Sequence, residues 1–137
     1  MNTHWQIKTP EDFQPLISAL LAECADQERV VICLHGELGA GKTTFTQELG
    51  KYLGVQERIT SPTFGIMNRY EVSESTGFDQ LVHIDAYRIE HPDEVGPLRL
   101  EELFTQSRTI FCVEWPENIA EILPSEKGTV RIGIGEG

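Results

Sequence analysis

Positive charge is scarce in this chain: 11 lysines and arginines stand against 22 aspartates and glutamates, giving a net charge of −11. No basic run occurs. A freestanding nucleic-acid binder needs a basic surface to neutralise phosphates, so that class is excluded and any nucleic acid is expected to be held by a partner. Long apolar runs are missing as well. No stretch approaches the roughly 18 residues of a membrane-spanning helix, so no membrane role is expected. The opening MNTHWQIKTPEDF has neither the basic start nor the apolar core of a signal peptide. Cysteine is rare. Cys24, Cys33 and Cys112 are odd in number, far apart and without a CxxC pair, and two of them sit inside apolar runs. Buried free thiols in a reducing cytoplasm are expected, rather than disulfides or a metal site. Internal repeats, linkers and low-complexity segments are absent too, and the 137 residues suit a single domain spanning 1–137.

What is present is concentrated in residues 30–44, VVICLHGELGAGKTT. Val30 to Leu34 is a short apolar run rich in β-branched residues, the pattern of a fully buried strand. Gly36-x-x-x-x-Gly41-Lys42-Thr43 follows, and the next stretch has a helical pattern. Strand, glycine-rich loop and helix start are the context in which this spacing makes a phosphate-binding loop. Gly36, Gly39 and Gly41 lack side chains that would keep a phosphate from the backbone N–H groups, and the helix N-terminus adds oriented donors. The loop Gly36, Glu37, Leu38, Gly39, Ala40, Gly41, Lys42, Thr43 and Thr44 is the expected nucleotide cradle. Lys42 reaches toward the β- and γ-phosphates and Thr43 offers a hydroxyl to Mg²⁺.

Around this loop the pattern alternates strands and helices. His4 to Lys8 reads as a short strand. Thr9-Pro10-Glu11-Asp12 reads as a helix start, with Pro15 making it irregular. Phe13, Leu16, Ile17, Leu20, Leu21 and Cys24 form one apolar stripe. The helix after the loop sets Phe45, Leu49, Tyr52 and Leu53 on one side and stops at Gly54. Thr60-Ser61-Pro62-Thr63-Phe64 follows, extended or turn-like, with hydroxyls where nucleotide switches carry a γ-phosphate-sensing threonine. Phe64 to Val72 and Leu81 to Asp85 read as a hairpin around Gly77. Asp85 ends an apolar run where open α/β sheets carry ligand chemistry. Residues 91–99 read as irregular, Leu100 to Gln106 as a short helix, and Ile110 to Val113 as a second buried strand. That strand closes on Glu114, the Walker B pattern for a metal ligand or a water-orienting acid. Asn118 to Leu123 reads as a short helix and Thr129 to Ile134 as the last strand. The expected fold is α/β, a P-loop NTPase-like three-layer sandwich with a parallel core sheet extended by antiparallel strands from the hairpin and the termini.

Four motifs in order, His-Gly-Glu-Leu-Gly-Ala-Gly-Lys-Thr-Thr at 35–44, Ser-Pro-Thr-Phe at 61–64, His-x-Asp-x-Tyr-Arg at 83–88 and Glu-Trp-Pro-Glu at 114–117, closely resemble the TsaE (YjeE) family of bacterial P-loop ATPases. The resemblance runs from about Phe13 to Pro124. It implies ATP and Mg²⁺ as ligands and weak ATP hydrolysis within a complex with TsaB and TsaD. That complex transfers threonylcarbamoyl to tRNA adenosine at position 37, for codons beginning with A. By the same resemblance Thr43 and Glu114 hold Mg²⁺, Asp85 assists hydrolysis, and Thr63 lies near the γ-phosphate. Lys42, Asp85 and Glu114 are thus the expected catalytic set. Two departures stand out. Gly65-Ile66-Met67 replaces the usual Thr-Leu-Val-like continuation, and the chain stops at Gly137, where the family usually adds a basic segment near the nucleotide base.

Competing classes fare worse. A GTPase needs an Asn-Lys-x-Asp guanine reader and an Asp-x-x-Gly switch, and neither occurs. A small-molecule kinase needs an acceptor pocket and usually an arginine-bearing lid, for which 137 residues leave little room. A partner-dependent nucleotide switch needs only what is visible.

Overall fold

Five consecutive residues, Val30 to Leu34, are fully buried in strand β1 (Arg29–His35), as an apolar run without polar interruption demands. The fold, taken from a computed structural model, is described for residues 5–36, 41–60, 67–89, 100–124 and 129–134. Strands β2 (Met67–Glu71), β3 (Gln80–Asp85), β4 (Thr109–Glu114) and β5 (Thr129–Gly133) join β1 in the order β2-β3-β4-β1-β5. β3, β4, β1 and β5 are mutually parallel, while β2 pairs antiparallel with β3, from Met67 opposite Ile84 to Glu71 opposite Gln80. The parallel core and the hairpin are therefore as expected, with residues 64–66 outside the described ones.

Strand alternation divides the core in two. Val30, Ile32, Leu34, Leu81, Ile110 and Cys112 pack beneath helices α1 (Phe13–Glu23) and α2 (Lys42–Leu53). Val31, Cys33, Val82, Ile84, Phe111 and Val113 face the other way, onto Leu103 of α3 (Leu100–Leu103), Phe104 and Ile119. Three layers result. Phe13 of α1 meets Phe45 of α2 edge to face at 5.4 Å, worth about 0.5–1.5 kcal/mol beyond the area buried. Beside them the Gln14 amide donates to the Glu48 carbonyl at 2.9 Å and to its carboxylate at 3.0 Å, and Lys51 closes on the same carboxylate at 2.9 Å.

The irregular helix entry is real. Pro10–Asp12 forms a 3-10 turn in which the Asp12 carboxylate accepts from the Lys8 and Thr9 N–H groups, and α1 proper starts at Phe13. Pro15 then falls in the first turn of α1, where its missing N–H has no partner to lose. At the far end of α2, Gly54 stands at φ +78°, a left-handed cap, and the Ser73 N–H donates to the Leu53 carbonyl at 2.8 Å. A Cβ on Gly54 would lie 2.8 Å from that of Ser73, so glycine is required twice over.

Four expectations need correction. Residues 5–8 form no strand; Ile7 only packs against the core. The last strand is parallel to β1, because the 115–128 connection is long enough to cross the sheet and return to the strands' starting edge. Tyr52 is 43% exposed, since the buried stripe of α2 runs through Phe45, Leu49, Gly50 and Leu53 and leaves position 52 at its margin. The short helix at 118–123 is instead a run of 3-10 turns over Pro116–Ile122, broken at Ile119. Residues 91–99 lie outside the described ones. Among the described residues no helix is long and apolar enough to cross a membrane.

Candidate phosphate and metal site

Parallel register sets a row across the sheet at the C-terminal ends of three strands: Asp85 of β3 opposite Glu114 of β4, and Glu114 opposite Leu34 of β1. Leu34 and Cys112 belong to the core under α2, so alternation puts Asp85, Glu114 and His83 on that same face. The chain leaves β1 through His35 and Gly36 and re-enters the described residues at Gly41, whose φ of +106° only glycine adopts without strain. Its carbonyl accepts the first bond of α2, from the Phe45 N–H at 2.9 Å.

Lys42 opens α2 and is 5% exposed. Its ammonium donates to the Gly36 carbonyl at 2.6 Å and lies 3.8 Å from the centroid of the Trp115 ring. Trp115 follows Glu114 in a left-handed conformation, φ +58° and ψ +50°, costly for a bulky residue. That backbone turns the indole over Lys42 and against Tyr87, whose ring centroid is 5.1 Å away. The Asp85 carboxylate caps the turn beside it, accepting from the Tyr87 N–H at 3.0 Å. The Ala86 N–H donates to the Glu114 carbonyl at 3.0 Å, and the Asn118 amide to the Ala86 carbonyl at 2.9 Å, so the ends of β3 and β4 are locked together. Beneath, the Thr46 hydroxyl donates to the Lys42 carbonyl at 3.1 Å and touches the Cys112 sulfur at 3.3 Å. Burial pushes the Cys112 thiol up to about 12, so it stays protonated and inert.

The structure thus brings Gly36, Gly41, Lys42, Thr43, Thr44, Asp85 and Glu114 to one end of the sheet and the start of α2. Glu37, Leu38, Gly39, Ala40 and Thr63 lie outside the described residues. Sequence reasoning gave no role to His83. Its Nε2 is 2.6 Å from Glu114 Oε2, with both side chains buried. The signal was period-2 alternation, since His83 lies two residues before Asp85. Trp115, within the Glu-Trp-Pro-Glu motif, contacts the phosphate-loop lysine itself.

Lysine, helix N-terminus and two carboxylates can together accept a polyphosphate with a divalent cation. Among the described residues no group of three or more His, Cys, Asp or Glu gathers around a metal position. One or two carboxylates and a hydroxyl, all hard oxygen donors, suit Mg²⁺, which ordinarily takes its remaining ligands from water and substrate phosphates. The residues fit that ion.

Fold and site together define a P-loop-type nucleotide-binding protein of the α/β class. A family model described as "Threonylcarbamoyl adenosine biosynthesis protein TsaE" matches residues 7–136. The chain belongs to the TsaE family. It is 38% identical over 125 residues to the tRNA threonylcarbamoyladenosine biosynthesis protein TsaE of Bacillus subtilis, covering 90% of this chain and 72% of that one. Its likeness to the Streptomyces coelicolor protein of the same name is 43% over 108 residues, covering 78% and 70%. The crystal structure of Bacillus subtilis YdiB superposes with a TM-score of 0.65 at 32% identity, over 97% of this chain and 77% of that one.

Proposed function

We propose that this chain binds and slowly hydrolyses ATP as an accessory protein of tRNA threonylcarbamoyladenosine formation, acting in a complex with TsaB and TsaD. The observation that carries the reading is the shared face of Lys42, Asp85 and Glu114 at the strand ends beside the start of α2. The relatives' printed names supply the tRNA modification. Lys42 neutralises the β- and γ-phosphates, drawn from the Gly36 carbonyl by the stronger anion. The loop from Gly36 to Thr44, with Glu37, Leu38, Gly39 and Ala40, cradles the phosphates through backbone N–H groups. Thr43 and Glu114 hold Mg²⁺, which neutralises charge on the phosphate oxygens when bound. Asp85, anchored through the Tyr87 N–H, orients the attacking water. Thr63 senses the γ-phosphate. tRNA reaches the complex through the partners, since a net charge of −11 repels it from this chain.

The test is ATP turnover by the isolated chain and with TsaB–TsaD. Slow turnover alone and faster turnover in the complex are expected. Brisk turnover alone, unchanged by the partners, would refute the accessory role, and tight tRNA binding by the isolated chain would refute the charge argument.

A further inference from the structure

His83 is fully buried in β3, directly below the strand-end carboxylates, yet the proposed chemistry makes no use of it. Its Nε2 lies 2.6 Å from Glu114 Oε2. Its Nδ1 is buried with no hydrogen-bond partner among the described residues. These two facts together assign the tautomer. A proton on Nδ1 would be an orphaned buried donor, which costs about 1–3 kcal/mol. A proton on Nε2 is used by the carboxylate and leaves on Nδ1 only a bare lone pair. The ring is fully buried, with Cys112 opposite it in register and Thr46 of α2 against the Cys112 sulfur.

We infer that His83 is a positioning residue for Glu114: its Nε2–H fixes one carboxylate oxygen so that the other is aimed at the metal of a bound nucleotide. This rests on the proposed Mg²⁺-ATP reading of the site. The energetic logic is that of outer-shell partners in metal sites. A carboxylate held by a fixed donor loses no rotamer freedom when the ion arrives, whereas a released one must be ordered then. The neighbouring carboxylate, Asp85, has its own anchor in the Tyr87 N–H, so each acid on this face is oriented by a separate donor.

Three substitutions separate positioning from bulk support, read by calorimetric titration of a non-hydrolysable ATP analogue with and without Mg²⁺, beside thermal unfolding. His83→Gln carries an amide N–H at about the reach of Nε2. His83→Asn carries the same group too short to meet Glu114. His83→Leu fills the space with no donor. Metal-free affinity is expected to stay within about twofold in all three. The strengthening that Mg²⁺ brings is expected to fall about 10-fold or more in His83→Asn and His83→Leu and to be largely kept in His83→Gln. Gln and Asn behaving alike overturns the inference, as does a Leu variant that keeps the full Mg²⁺ effect. Wild-type protein that gains nothing from Mg²⁺ overturns the proposed function and this inference with it, whereas a wild-type gain shared equally by all three variants overturns only the role of His83. Should His83→Leu fail to fold, the Gln and Asn pair alone decides.

Discussion

Replacing Trp115 tests how firmly the Lys42 ammonium is held before nucleotide arrives. The ammonium is 3.8 Å from the ring centroid and Lys42 is almost fully buried. The contact therefore belongs nearer the ~2 kcal/mol of a desolvated cation–π pair than the ~0.5 kcal/mol of an exposed one. Trp115→Leu also removes the ring contact with Tyr87, about 0.5–1.5 kcal/mol that has nothing to do with lysine. A double-mutant cycle separates the two. Trp115→Leu, Lys42→Met and the double variant are unfolded in urea without nucleotide and compared with the parent chain. Methionine keeps the apolar stem and removes the charge, and leucine bears the same left-handed backbone cost as tryptophan. The expected coupling is about 1–2 kcal/mol. For nucleotide the sign reverses, because phosphate must draw Lys42 off the ring. Trp115→Leu is expected to tighten metal-free ATP binding by up to about 10-fold, or 1.4 kcal/mol. Stabilities that add within about 0.3 kcal/mol would refute the contact, and weaker nucleotide binding would refute the exchange.

Asp85→Asn and Glu114→Gln are expected to bind ATP yet hydrolyse it about 10²-fold or more slowly in single-turnover assays, and an acid whose variant keeps full turnover has no part in the chemistry. All three thiols are held above the ordinary range by burial, so a thiol reagent at pH 8 is expected to label none in the folded chain and three in guanidinium. Rapid native labelling of Cys33 or Cys112 would contradict the packing of β1 and β4. Burial alone would push the Glu48 carboxyl up, but the Gln14 amide and Lys51 ammonium outweigh it and hold it below its ordinary value of 4.5. A depressed carboxyl stabilises the fold above that value and loses the effect as pH falls through its folded value. Glu48→Gln is therefore expected to destabilise the chain at pH 7, with the gap to the parent closing below about pH 4.5 in urea titrations. A gap independent of pH would assign the loss to packing instead.

The centre of the fold was legible in the sequence because three signals overlap there. The apolar run of β1, the spacing of Gly36, Gly41, Lys42 and Thr43, and the helical period beyond them all describe one unit. β3 and β4 were legible for similar reasons: each is a β-branched or apolar run bounded by turn residues. The direction of β5 was not, because alternation gives a strand its faces and says nothing of which way it runs beside a neighbour 98 residues earlier. The strand expected at 4–8 failed over the described residues 5–8 because alternation alone supplies no partner ladder, and no described strand pairs with them. His83 was hidden by distance. Its partner is 31 residues away, and a lone histidine in an apolar run looks like any other half-polar strand position. Trp115 was hidden by its backbone, since nothing in Glu-Trp-Pro-Glu announces a left-handed tryptophan.

The bond from the Ser73 N–H to the Leu53 carbonyl has a mechanical meaning. α2 is 12 residues long, a post of about 18 Å. Its first residue follows the phosphate loop, and its last is pinned to the turn that leads into β3, the strand bearing His83 and Asp85. Axial load entering at Lys42 is thus returned to the sheet through β3 instead of being absorbed by a loose helix end.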